Sequence, residues 1–155
     1  MSPLDFTAFL DQLRSLVGEN HVRTGEAALP FHTDERNRYH RAPPLAVVLP
    51  ETVEQISQIV QLCAQHSPKI ALIAQGGNTG LVGGCAVIER TPSLILNLTR
   101  LNRVLAIDAQ NQTLTVQSGV TLAQVQQLAA ENNLLFPLSL ASELSATIGG
   151  NLATN

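Results

Sequence analysis

This sequence has no tryptophan, one tyrosine and four phenylalanines in 155 residues. It therefore has few rings on which nucleic-acid bases could stack. Lys69 is its only lysine, no Lys/Arg cluster is present, and the net charge is −3. Without a basic patch to neutralise phosphates, a nucleic-acid partner is not expected. Its two cysteines, Cys63 and Cys85, form no C-x-x-C and sit in no paired Cys/His spacing. That excludes a disulfide framework and the usual zinc signatures, so no metal is expected and a reduced setting fits. No apolar run reaches the length of a membrane span, and the N-terminus lacks a charged segment followed by an apolar one. A cytoplasmic setting is expected, with peripheral membrane attachment left open for the complete protein. Charged residues make up only 14% of the chain against 45% hydrophobic, which excludes disorder. So little charge also suggests that part of the surface is normally covered.

The pattern that is present reads as α/β. Ser2-Pro3 opens a helix, with Asp5 in its first turn and Phe6, Phe9, Leu10, Leu13, Leu16 and Val17 on one face; Gly18 ends it. Residues 19–44 read as irregular and carry the polar string Thr33-Asp34-Glu35-Arg36-Asn37-Arg38-Tyr39, taken as structural. Leu45–Leu49 is a short buried strand stopped by Pro50. Thr52 and Gln55 then make a capping box, and Val53, Ile56, Ile59, Val60 and Cys63 give the following helix an apolar face. Ile70–Ala74 and Ser93–Leu98 are further strands, so a βαβ crossover and a small parallel sheet are expected. Val104–Ile107 and Thr113–Gln117 form a hairpin with Asp108 in its turn. After the turn at Gly119, a second capping box at Thr121 and Gln124 starts a helix buried through Leu122, Val125, Leu128 and Ala129, ending at Asn132-Asn133. The tail from Phe136 shows no period. These boundaries divide the chain into an N-terminal helix with its leading segment (1–44), a first lobe (45–100) and a second (101–155).

The chemistry concentrates in QGGNTGLVGG, where Gly76, Gly77, Gly80, Gly83 and Gly84 follow a buried strand. Such a run lets backbone amides turn inward into a nest for an anion, and Asn78 and Thr79 add donors. No lysine or arginine lies within it, which suits the diphosphate of a dinucleotide better than a transferable γ-phosphate. The nucleoside-triphosphate loop ends in G-K-[ST], whereas this one ends in Gly83-Gly84-Cys85. The Rossmann fingerprint needs G-x-G-x-x-G running into a helix, and here the first two glycines are adjacent. A plain sharp bend after a strand is the competing reading.

Three stretches together carry a resemblance: PPLAVVLPETVEQISQIVQLC, QGGNTGLVGG, and LTRLNRVLAIDAQNQTLTVQSGVTLAQVQQLAAENNLLFPLSLASELSATIGGNLATN. Over about residues 33–155 the chain resembles the FAD-binding domain of the vanillyl-alcohol oxidase / p-cresol methylhydroxylase superfamily. It is most similar to the branch of D-lactate, glycolate and D-2-hydroxyglutarate dehydrogenases. The resemblance implies two α/β lobes with FAD between them, the second lobe truncated here. It implies that Gly76, Gly77, Asn78, Thr79, Gly80, Leu81, Gly84 and Cys85 wrap the pyrophosphate and ribityl region. Pro137, Leu138 and Ser142 would approach the flavin, and Ser145, Ala146, Thr147, Gly149 and Asn151 would form the second wall. Some members attach the flavin to a loop histidine. Asn78 and Thr79 stand there instead, so FAD is expected to be non-covalent.

One departure is local. The family pattern S-E-G-S reads Ser142-Glu143-Leu144-Ser145 here, and a leucine in place of that glycine is expected to strain the backbone or crowd the site. Bulky residues at Gly77 and Gly80 are expected to abolish flavin retention without unfolding the protein. The chain reads as an N-terminal fragment, inactive alone. The substrate-binding region, with the hydroxyacid partner and the electron acceptor, would lie beyond it, and exposed apolar surface would favour self-association. No residue is assigned a catalytic role. Cys63 is read as core, Cys85 as a neighbour of the loop, and His21, His32, His40 and His66 as ordinary surface or packed histidines. A different FAD-linked oxidase of the superfamily, or a non-catalytic nucleotide-binding module, are the alternatives.

Overall fold

The computed structural model describes residues 6–32, 42–87 and 91–154. The proposed helix start at Ser2-Pro3, the string at residues 33–39 and His40 lie outside them. The chain divides into two compact units, one of Met1–Ala74 with Gly80–Asn97, the other of Gln75–Thr79 with Leu98–Asn155. The sequence places the boundary near residues 100–102 and the whole Gly-rich loop in the first lobe. In the structure the first half of that loop joins the second unit.

In the first unit, helix α1 (Thr7–Val17) buries Phe9, Leu13 and Val17, the 3.6-residue stripe of the sequence. It packs on α3 (Val53–Gln65), and Gln55 Nε2 donates to the Leu16 carbonyl at 3.0 Å. His66 stacks on Phe6 and meets Phe9 edge-on, so it is a packed histidine. The Thr52 hydroxyl accepts the Gln55 amide, as the capping box requires, but the Gln55 side chain reaches one residue further back, to the Glu51 N–H at 2.7 Å. Two residues assigned to the apolar face of α3 are in fact exposed, Val53 at 63% and Val60 at 43%. The buried stripe centres on Ile59 and Cys63 instead. Val53 and Val60 lie seven apart, on a flank of the helix that α1 and the sheet leave uncovered.

The sheet corrects two expectations. It has the order β1-β2-β4-β3, with β1 Val22–Arg23, β2 Ala46–Val48, β3 Ala71–Gln75 and β4 Ser93–Asn97. Strands β2 and β4 are parallel, Val47 opposite Ile95, but β1 pairs antiparallel with β2, so the sheet is mixed rather than parallel. The β2–α3–β3 connection steps over the place that β4 fills. Residues 19–32, read as irregular, contain β1 and the short helix α2 (Leu29–His32). A two-residue edge strand is too short to show a period, which is why the sequence hides it. Every residue of β2 and β4 is buried, as expected of strands covered on both faces. Val47 and Ile95 join Ala28, Ala42 and Val87 in the core, with Phe31, Leu49 and Ile73 against them.

Cys63 belongs to this buried set, and burial pushes its thiol from 9.0 up to about 11. The folded chain thus holds the thiol proton more tightly than the unfolded chain does. The corresponding stability is intact below pH about 9 and is lost as the pH rises toward about 11. Denaturation measured across that window should show a fall in stability that Cys63→Ala lacks. An equal fall in the variant would remove Cys63 as its source.

In the second unit, β5 (Val104–Asp108) and β6 (Thr113–Val116) form the antiparallel hairpin, with a register shift between Val104 and Ala106. The Asp108 carboxylate accepts from the Asn111 N–H at 3.0 Å and from Asn111 Nδ2 at 2.7 Å. These bonds fix the turn and hold the carboxyl below its usual range. Helix α4 (Leu122–Glu131) opens with the complete capping box read from the sequence, Thr121 and Gln124 satisfying each other's backbone amides. The tail is not without structure, because Ile148–Thr154 is a helix, α5. Among the described residues no helix is long and apolar enough to cross a membrane, and no group of His, Cys, Asp and Glu is placed to hold a metal.

Candidate functional site

The site is built within the second unit by three segments meeting backbone to backbone. Leu98 N–H donates to the Gln75 carbonyl at 2.8 Å, so the end of β3 is tied to the segment that follows β4. Gln75 is buried, and the chain then passes through Gly76 and Gly77. A Cβ on Gly77 would land on the Ser145 carbonyl oxygen, and one on Gly76 on the Thr147 hydroxyl. Only glycine permits that approach. Asn78 follows with φ 54°, a left-handed conformation that asparagine tolerates.

The far side of the 145–149 segment is held by the turn before α4. Leu122 N–H donates to the Ala146 carbonyl at 2.9 Å, Ile148 N–H to Val120 at 2.9 Å, and Gly149 N–H to Ser118 at 2.8 Å, with Thr121 and Thr147 bridged antiparallel. Gly149 again allows close contact, since its Cβ would lie 2.6 Å from Ser118 Cβ. Gly119 packs its α-carbon against the Leu98 and Leu101 carbonyls. The 145–149 segment thus lies between the Gly-rich loop and the α4 turn.

Beside this junction is a cleft of about 670 Å³, bordered by Gly77, Ser145 and Thr147 and by Thr99, Asn102, Thr121 and Gln124. That volume is in the range of small-molecule sites. Among the described residues no charged side chain lines it; its polar groups are hydroxyls, amides and backbone. Asn151, on α5, is not among the residues that border this cleft; its Nδ2 is buried without a hydrogen-bond partner in the structure. Neutral donors and close-approach glycines fit a dinucleotide held through amides and not through cationic side chains. The loop itself carries no lysine or arginine.

The remaining sequence-predicted residues fall elsewhere. Ser142 contributes its carbonyl, which accepts the Ser145 and Ala146 N–H groups at 2.9 and 2.7 Å and closes a tight turn. Pro137 lines a separate cleft of about 330 Å³ between the hairpin and α4. The Leu138 carbonyl accepts from Gln126 Nε2 at 2.8 Å. Gly80, Leu81, Gly84 and Cys85 belong to the first unit. There a Cβ on Gly80 or Gly84 would meet nothing within 4 Å, and Cys85 Sγ lies 3.8 Å from the Ala74 carbonyl. Leu144 lines the 670 Å³ cleft with 80% of its surface exposed. It is not among the positive-φ residues, which are Asn78, Gln112 and Asn133 besides glycines, so the strain expected there is absent. Thr99, Asn102 and Gln127 line the cleft but were not singled out from the sequence. Isolated Thr, Asn and Gln carry no local signal of that role.

Residues 44–155 match the model of a family described as an FAD binding domain. Over 148 residues, 96% of its length, the chain is 32% identical to a D-2-hydroxyglutarate dehydrogenase of Stutzerimonas stutzeri (strain A1501), covering 31% of that protein. Over 153 residues, 98% of its length, it is 33% identical to the glycolate oxidase subunit GlcD of Escherichia coli (strain K12), covering 30% of it. Among solved structures, p-cresol methylhydroxylase with substrate bound superposes with a TM-score of 0.79 at 26% identity, over 95% of this chain and 29% of that one. The chain therefore spans 29–31% of the length of these proteins.

Proposed function

We propose that this chain, which belongs to the FAD binding domain family, is the cofactor-holding part of a flavin-dependent oxidoreductase acting on a D-2-hydroxyacid. The observation that carries the cofactor part is the contact of Gly76 and Gly77 with Ser145 and Thr147 beside an uncharged cleft. The substrate class is supported by similarity to relatives named for D-2-hydroxyglutarate and glycolate.

Bound FAD would supply a two-electron acceptor for the hydride on the substrate's α-carbon. The chain's own residues bind and orient. Backbone amides of Gly76 to Thr79, with the Asn78 and Thr79 side chains, would take the diphosphate, and Ser145 and Thr147 would face it from the other wall. Asn78 and Thr79 stand where a flavin-linking histidine would be needed, so the cofactor would be held non-covalently. Substrate binding and deprotonation of the hydroxyl would fall to polypeptide outside this match, where most of the length of the relatives lies.

The test uses the natural full-length polypeptide. It should purify yellow, release intact FAD on denaturation, and be bleached anaerobically by one of D-lactate, glycolate or D-2-hydroxyglutarate. Absence of flavin would sink the cofactor reading. Flavin that none of the three reduces would sink the hydroxyacid reading and leave another FAD-linked oxidase.

A further inference from the structure

Leu144 is a large apolar side chain, 80% exposed, at the apex of a turn that is pinned on both sides. Before it, the Glu143 carbonyl accepts the Ala123 N–H at 3.1 Å, and the Glu143 carboxylate accepts Gln126 Nε2 at 3.3 Å. After it, Ser145 and Ala146 both donate to the Ser142 carbonyl, and the Ser145 carbonyl rests on Gly77. Leu144 is therefore held out on a rigid support, over a cleft that remains about 670 Å³ with the side chain in place. It neither fills the cleft nor packs into the protein.

We propose that Leu144 is a preformed apolar contact for a ring system of the dinucleotide bound in this cleft, and that it slows release of the ligand. The inference rests on the cofactor reading above. An exposed leucine on a fixed turn has no native packing to lose and little backbone entropy to surrender when a ligand covers it. Its burial against a flat ring then goes directly into affinity. Crowding, the effect expected from sequence for a leucine at this position, predicts the opposite sign.

The experiment is FAD binding to the full-length apoprotein, followed by flavin fluorescence, for wild type, Leu144→Ala, Leu144→Gly and Leu144→Met. Leu144→Ala and Leu144→Gly should weaken FAD binding about five- to tenfold, mainly through faster release. Leu144→Met, similar in size and polarity, should stay near wild type, and thermal unfolding of the apoprotein should be unchanged in Leu144→Ala. Unchanged or tighter binding by Leu144→Ala would overturn the proposal while the cofactor reading stands. A wild-type protein that binds no FAD would overturn both.

Discussion

Gly77→Ala should cost the second unit its fold, whereas Gly80→Val should leave the protein folded. The two glycines look equivalent in the sequence but have different surroundings. At Gly77 an added methyl collides with the Ser145 carbonyl, a backbone atom already held in a turn, while at Gly80 it enters open space. Overpacking against side chains costs about 1–3 kcal/mol, because side chains can yield. A pinned carbonyl yields less, so Gly77→Ala should exceed that range, a large share of the stability of any domain. Gly77 is therefore not the clean probe of ligand binding that the sequence alone suggests. Thermal unfolding, measured on both full-length variants, checks this. Gly77→Ala melting like wild type would contradict the observed packing. Gly80→Val melting well below wild type would contradict the open space at that residue.

Ile95→Ala should destabilise the first unit by about 2–5 kcal/mol. Ile95 is fully buried in β4, which lies between β2 and β3, and it opposes Val47 in register. Removing most of its side chain leaves a cavity between strands that hydrogen bonds hold apart, so collapse cannot close it. Ile95→Val, which removes one methylene, should cost about 0.5–1.5 kcal/mol. Chemical denaturation of the three proteins measures both values. A loss below about 1 kcal/mol for the alanine variant would mean that the β2–β4 pair is not the packed centre of this unit.

Both predictions mark how far the sequence could be read. Leu45–Leu49 and Ser93–Leu98 are legible as strands because they are short and rich in apolar residues, and the structure buries β2 and β4 throughout. The capping box at Thr121 and Gln124 is legible because it depends on two residues three apart. Strand β1 is not legible, since two residues make no pattern and its antiparallel pairing needs β2 beside it. Helix α5 is hidden because Gly149 and Gly150 are poor helix formers. It forms where Ile148 and Gly149 are anchored to Val120 and Ser118, contacts that no local propensity contains. Val53 and Val60 satisfy the apolar periodicity of α3 yet are exposed, because periodicity shows that a face is apolar and not what covers it.

The Gly-rich loop shows the same division most clearly. The sequence by itself determined that the loop carries adjacent glycines and no lysine or arginine, and that the common nucleotide motifs do not apply. These follow from residue type and spacing over a short stretch. Only the tertiary structure decided that Gly76 and Gly77 have no room for a side chain while Gly80 and Gly84 do. It also decided that Leu144 projects over the cleft without backbone strain. The reason is that space at a residue is set by what folds against it, and for Gly76 and Gly77 those neighbours, Ser145 and Thr147, come from the far end of the chain.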